Sequence, residues 1–179
     1  MGRFAIVRVV EVVEHGPLTD AQRAALEGGE EHPFGTEGTE LYWRPKERHV
    51  MLRDDEGRLL ASTGLLVVEV SVGGAEAFEV VGLGGVIVAP GHRGEGLARV
   101  VLEAALERAA TIGPDLAMLF CRDGVAGLYR KLGFERVGAP IRVLQPSGSA
   151  LVPVNTMWRP LVDGAAWPPG AVLLRSEPF

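Results

Sequence analysis

Apolar positions recur along this chain with two different periods, and each period predicts its own kind of element. Short β-branched runs with apolar residues on both sides, at 4–13 (FAIVRVVEVV) and 86–88 (VIV), predict strands buried on both faces. Residues 49–53 and 59–70, joined by Asp54-Asp55-Glu56-Gly57, predict a hairpin. Val72-Gly73-Gly74-Ala75 then turns the chain into a long strand over 77–88. Three strands on short turns make an antiparallel meander. From Leu97 the period lengthens. Leu97, Val100, Val101, Ala104 and Ala105 share one helical face, Arg99, Glu103 and Glu107 another, and Gly113-Pro114 end the helix. A helical connection makes the following strand, 116–121, parallel to its predecessor.

Weaker signals complete the pattern. Thr19 and Asp20 offer an N-cap to a helix over 21–27 that Gly28-Gly29 stops, and Asp123 is placed to cap a helix over 125–132 ending at Gly133. Residues 30–39, acidic and glycine-rich with Pro33, predict a loop or broken helix, and Trp43 is positioned to anchor it to the sheet. Strands follow at 134–137, 141–144 and 154–158, with 146–153 (PSGSALVP) as a loop and the tail around Pro168-Pro169-Gly170 extended or irregular. The sum is an α+β fold, one mixed central sheet flanked by helices. No repeat or boundary divides residues 1–179, so a single domain is expected.

Between strand 77–88 and the helix lies Arg93-Gly94-Glu95-Gly96. A strand, a glycine loop and a helix start leave several backbone N–H groups unpaired at the positive end of a helix, and glycines let an anion approach them. A P-loop would end in Gly-Lys-Ser/Thr, whereas Leu97 and Ala98 follow Gly96. A dinucleotide loop would read Gly-x-Gly-x-x-Gly, and Gly91, Gly94 and Gly96 have the reverse spacing.

The spacing Arg93-x-x-Gly96-x-Ala98 resembles the acetyl-CoA-binding motif of the GCN5-related N-acetyltransferase (GNAT) superfamily. Leu128-Tyr129-Arg130-Lys131-Leu132-Gly133-Phe134 resembles that family's late helix, a Tyr followed by three residues and then Gly-Phe. The likeness is close over 77–138 and rests on element order alone over most of the rest. It implies the GNAT fold, with two central parallel strands splayed into a V-shaped cleft, and acetyl-CoA as co-substrate. By the same resemblance the loop Arg93, Gly94, Glu95, Gly96, Leu97 and Ala98 holds the pyrophosphate through its backbone. Ile87 and Val88 offer main chain to the pantetheine arm, a backbone N–H near Val88 faces the oxyanion, and Tyr129 protonates the departing thiolate. A phenol with a pKa near 10 suits that task.

Within the superfamily the element order is similar to the aminoglycoside N-acetyltransferases. Several of these carry a basic carboxylate on the long strand, where this chain has Gly84. Glu69 and Glu79 on the strands, or Glu31, His32 and Glu40 from the acidic loop, stand as substitutes, and a water relay serves equally.

Composition narrows the partners. A net charge of −5 argues against a nucleic-acid or anionic-membrane partner, and Arg44, Lys46 and Arg48, broken by Pro45 and Glu47, read as a solvated loop. The single cysteine excludes an internal disulfide, and no His or Cys cluster suggests a metal. Cys121 reads as a small buried hydrophobe, with an acyl-cysteine route as the alternative. His92 reads as a loop residue, while His15 and His49 have no partner pattern. No secretion signal or membrane-length apolar run is visible, so a cytoplasmic location is expected.

The expected function is acetyl-CoA-dependent N-acetylation of a primary amine on a small molecule by direct attack. Glu30, Glu31, Glu37 and Glu40 would suit a cationic acceptor, polyamine- or aminoglycoside-like. The alternatives are a non-catalytic acyl-CoA-binding or sensing module, transfer of a longer acyl chain, and a protein-lysine acetyltransferase. The resemblance also admits a homodimer through the final strands, where Trp158 and Trp167 would serve an interface or ordinary core packing alike.

Overall fold

The computed structural model describes residues 11–30 and 40–179. The first part of the first predicted strand, 4–10, and Glu31, His32, Pro33 and Glu37 lie outside the described residues.

Local chemistry sets the early elements. Strand β1 (Glu11–His15) leads to helix α1 (Asp20–Glu27). Thr19 Oγ1 accepts the Gln22 N–H at 3.2 Å while the Thr19 N–H donates to Gln22 Oε1 at 2.8 Å, a reciprocal capping box. Gly28, at φ 60°, ends the helix in a conformation that suits glycine. Strands β2 (Arg48–Arg53) and β3 (Leu59–Val72) form the predicted hairpin. The Asp54 carboxylate holds its turn by accepting the N–H groups of Glu56 at 3.0 Å and Arg58 at 2.8 Å. Strand β4 (Phe78–Val88) completes the antiparallel meander, and helix α2 (Leu97–Ala109) carries the chain to β5 (Leu116–Cys121), parallel to β4 as predicted.

The central feature is where pairing stops. β4 and β5 are paired only from Val81–Leu83 to Ala117–Leu119, although both strands run on. On its other edge β4 opposes β3 with a register shift, Gly64 facing Gly84 but Ser62 facing Ile87. Gly85 and Val86 therefore stand against the single Thr63, and Gly85 takes φ 63°. A bulge of this kind bends and twists its strand. The two parallel strands open into a V beyond Leu83.

Both faces of the sheet are covered. α2 buries Leu97, Val101, Leu102, Ala105, Leu106 and Ala109 against one face, where Val81 and Leu83 point. Val100, expected in the apolar stripe, is 38% exposed, because the buried face is centred nearer Val101 and Ala105. A second core, with Leu66, Val68, Val80, Met118 and Phe179, lies on the opposite face.

Three differences from the sequence reading concern weak local signals. Residues 146–153 are not a loop: β7 (Ile141–Gln145) and β8 (Gly148–Leu151) form an antiparallel hairpin around Pro146 and Ser147. The tail is not irregular throughout, since β10 (Val172–Leu174) enters the sheet between β3 and β7, antiparallel to the first and parallel to the second. Asp123 does not cap α3 (Ala126–Lys131); its carboxylate accepts from Arg136 at 2.7 Å and Asn155 at 2.9 Å. The remaining short strands, β6 (Glu135–Arg136) and β9 (Asn155–Pro160), finish the sheet beside β5.

Leu174, the last residue of β10, is fully buried. Leu174→Ala is expected to lower stability by about 2–5 kcal/mol in urea unfolding. A loss well under about 1 kcal/mol would show that β10 contributes little to the sheet.

Candidate active site

The glycine loop is an array of donors without protein acceptors. Among the described residues, no backbone N–H from Arg93 to Ala98 donates to another protein group, whereas Arg99 already donates to the Gly96 carbonyl at 3.0 Å. Gly94 and Gly96 have φ of 85° and 82°, and a Cβ added to either would meet nothing within 4 Å. Backbone conformation, not protein packing, therefore requires these glycines, and the space before them is open. Gly96 is the N-cap of α2 and supplies no side-chain acceptor, so the positive end of the helix stays available for an anion.

Arg93 fixes the loop in place. Its Nη1 donates to Glu30 Oε1 at 2.6 Å and its Nε to the Val88 carbonyl at 3.2 Å, tying the loop to the end of β4 and to the segment after α1. Ile87, Val88, Arg93, Gly94, Gly96, Leu97 and Ala98 line one groove of about 510 Å³. Glu95 does not line it and faces His92 across 3.4 Å. Val88 opposes Ala61, and the adjoining Ala89 N–H donates to Leu60 at 2.9 Å. By the alternation of antiparallel ladders the Val88 N–H then points away from β3, toward the opening beside β5.

Tyr129 stands on α3, 8% exposed, its ring edge-on to Phe134 at 6.0 Å. Gly133, at φ 82°, lets the Phe134 N–H return to the Tyr129 carbonyl at 3.1 Å, which sets that ring pair. Burial, with a smaller contribution from Cys121, pushes the phenol well above its ordinary pKa, so it stays a proton donor at neutral pH. Cys121 ends β5 with its Sγ 3.6 Å from the Met157 sulfur, and burial raises the thiol to about 11. A thiol so protonated is a poor nucleophile, which disfavours an acyl-cysteine route.

The sequence-based candidates for a base are dispersed. Glu69 and Glu79 face each other on β3 and β4, both exposed. Glu79 precedes Gly84 by five residues, roughly 16 Å at the rise of a strand. Glu40 is exposed, and Glu31 and His32 lie outside the described residues.

Two other side chains occupy that end of the cleft. Lys46, expected in a solvated loop, turns inward along β3 and β4. A Cβ at Gly64 would lie within 2.4 Å of its Cβ, and one at Gly84 would lie 2.9 Å from its Cε and 3.2 Å from the Phe179 main chain. Burial lowers its pKa to about 8. His49 on β2 is 9% exposed, with Nδ1 2.9 Å from the Gly16 carbonyl. Both line a cavity of about 130 Å³ with Arg23, Glu27, Gly85 and Ile87. Glycines inside strands, at 64, 82, 84 and 85, were the sequence signal for this close approach. Trp43 packs edge-on against Phe120 at 6.2 Å, while residues 31–39, which it was expected to anchor, lie outside the described residues; Trp158 and Trp167 pack on each other at 6.0 Å.

A sheet opened between two parallel strands beside a phosphate-type loop defines the acyl-CoA N-acyltransferase architecture. The sequence model of the acetyltransferase (GNAT) domain matches residues 18–137. The fold is shared with the GNAT family N-acetyltransferase YhbS of Escherichia coli, solved in complex with CoA, at 20% identity and a TM-score of 0.57, covering 93% of this chain and 91% of that one. It is likewise shared with a phosphinothricin acetyltransferase of Sinorhizobium meliloti in complex with AcCoA, at 16% identity, TM-score 0.53 and coverage of 89% and 94%. The ribosomal-protein-S18-alanine N-acetyltransferase of Escherichia coli gives 19% identity and TM-score 0.52, covering 88% of this chain and 100% of that one. No curated protein matches the sequence. The chain belongs to the GNAT acetyltransferases, enzymes whose acyl donor is acetyl-CoA.

Given its raised pKa, Cys121 is expected to resist iodoacetamide at mildly alkaline pH in the folded protein and to react after unfolding. Rapid alkylation of the folded protein, followed by mass spectrometry, would contradict the buried, protonated thiol.

Proposed function

We propose that this chain transfers the acetyl group of acetyl-CoA directly to a primary amine of a small molecule. The observation that carries the reading is the run of unpaired N–H groups from Arg93 to Ala98 at the start of α2, beside the opening between β4 and β5. When bound, acetyl-CoA supplies an activated thioester. The backbone of Gly94, Gly96, Leu97 and Ala98 holds the pyrophosphate, with Arg93 bracing the loop. Ile87 and Val88 flank the pantetheine arm, and the Val88 N–H is placed to stabilise charge on the thioester oxygen. Tyr129 Oη gives its proton to the leaving sulfur, a role its elevated pKa permits because the phenol is fully protonated at working pH.

The acceptor end favours a small amine over a polycation. Glu30, counted in sequence toward an acidic acceptor loop, is committed to Arg93, and the inner cavity carries Arg23 and Lys46 against one carboxylate, Glu27. Like charges there disfavour polyamine- or aminoglycoside-like acceptors with several ammonium groups.

Calorimetry is expected to show saturable binding of acetyl-CoA and none of NADH, and thiol release should follow with one or more primary amines. Tyr129→Phe should lower kcat by about 10²-fold or more while leaving acetyl-CoA affinity unchanged. A variant as fast as the original would remove Tyr129 from the chemistry. Absence of acetyl-CoA binding would remove the acetyl-transfer reading itself.

A further inference from the structure

Resting on that reading, we infer that the cavity beside Ile87 is the acceptor site and that His49 is the general base that deprotonates the incoming amine. Four observations converge on this assignment.

The cavity adjoins the proposed cofactor groove, with Ile87 on the wall of each. It lies at the bulge of β4, with Gly85 in its wall, where the strands have begun to part. Its volume of about 130 Å³ admits an amine-bearing head group.

His49 is held in that wall by register. It opposes Gly64 on β3, which opposes Gly84 on β4, and the space these two glycines leave is filled by the Lys46 side chain and, at Gly84, by the Phe179 main chain. Lys46 sets the charge of that space.

The tautomer follows from the hydrogen bond. The Gly16 carbonyl can only accept, so Nδ1 carries the proton and Nε2 the lone pair. A neutral imidazole fixed in this way presents one basic nitrogen.

The surrounding charges keep it neutral. Burial lowers the His49 pKa, the Gly16 hydrogen bond opposes this, and Lys46, Arg23 and His15 add further downward pressure; Glu27 is the carboxylate lining the same cavity. Below its depressed pKa the imidazole is protonated and inactive, and above it the base is available. Lys46, at about 8, is largely cationic at neutral pH, and Tyr129 and Cys121 remain protonated, so none of these competes as the base.

The protons balance. Nε2 takes one proton from the acceptor ammonium and passes it to solvent. The freed lone pair bonds the thioester carbonyl carbon as the carbon–sulfur bond breaks, and Tyr129 gives its proton to sulfur. The second proton lost by nitrogen as the amide forms restores the phenol. One proton is released for each acetyl group transferred.

The test measures thiol release against pH with a panel of primary alkylamines and acetyl-CoA. The original protein should show an acidic limb in kcat/KM below the ordinary histidine range. His49→Gln should abolish that limb and lower kcat/KM by about 10²–10⁴-fold, with acetyl-CoA affinity unchanged by calorimetry. Aromatic amines, which arrive uncharged, should lose far less. Nitrogen NMR should find the His49 proton on Nδ1. Unchanged alkylamine rates in His49→Gln, an equal loss with charged and uncharged amines, or a proton on Nε2 would each overturn the inference while leaving acetyl transfer intact. Failure of the original protein to bind acetyl-CoA would overturn both.

Discussion

The structure depends on a sheet that stops pairing at one point. β4 and β5 share a short parallel ladder ending at Leu83 and Leu119, and beyond it the bulge at Gly85 and Val86 turns β4 aside. Unpaired strand backbone is costly when buried, which is why most sheets do not open. Here the opening leaves the Val88 N–H facing a gap that a ligand's main-chain-like arm can fill. The bulge that makes the gap also places Gly85 at the cavity wall. Strand separation, the groove beside Val88 and the inner cavity all lie at one extra residue in one strand.

The loop that follows adds a set of N–H donors suited to an anion. Gly94 and Gly96 hold conformations that other residues reach only with strain, and Arg93 ties the loop to the Val88 carbonyl and to Glu30. The Arg93–Glu30 pair is exposed and adds little stability on its own. Its effect is positional, because it links the segment after α1 to the loop and so couples the two walls of the groove.

Much of this was legible in the sequence where the signal is local. The meander, the parallel crossover, the Thr19 cap and the glycine loop each rest on residues within a few positions of one another. β8 and β10 escaped because strands of four and three residues carry no readable period, and β10 is defined only by partners on β3 and β7. Val100 escaped because five residues at helical spacing leave the centre of the buried face uncertain by part of a turn. The inner cavity was hidden for a different reason. Lys46 and His49 look like surface residues unless the missing side chains at Gly64 and Gly84 are noticed, since those gaps let a lysine lie inside a sheet protein.

The placement of β10 has a consequence for the order of assembly. Val172 pairs with Val72, a hundred positions earlier, and the Tyr42 N–H donates to the Gln145 side chain across a similar span. Contacts of such separation form late, after the local hairpins and the crossover helix. Until they form, the second half of β3 and the inner edge of β7 are open strand edges, prone to pair with another chain. The nascent sheet is therefore most vulnerable to aggregation just before its last short strand docks, and whatever shelters that edge governs the yield of folded enzyme.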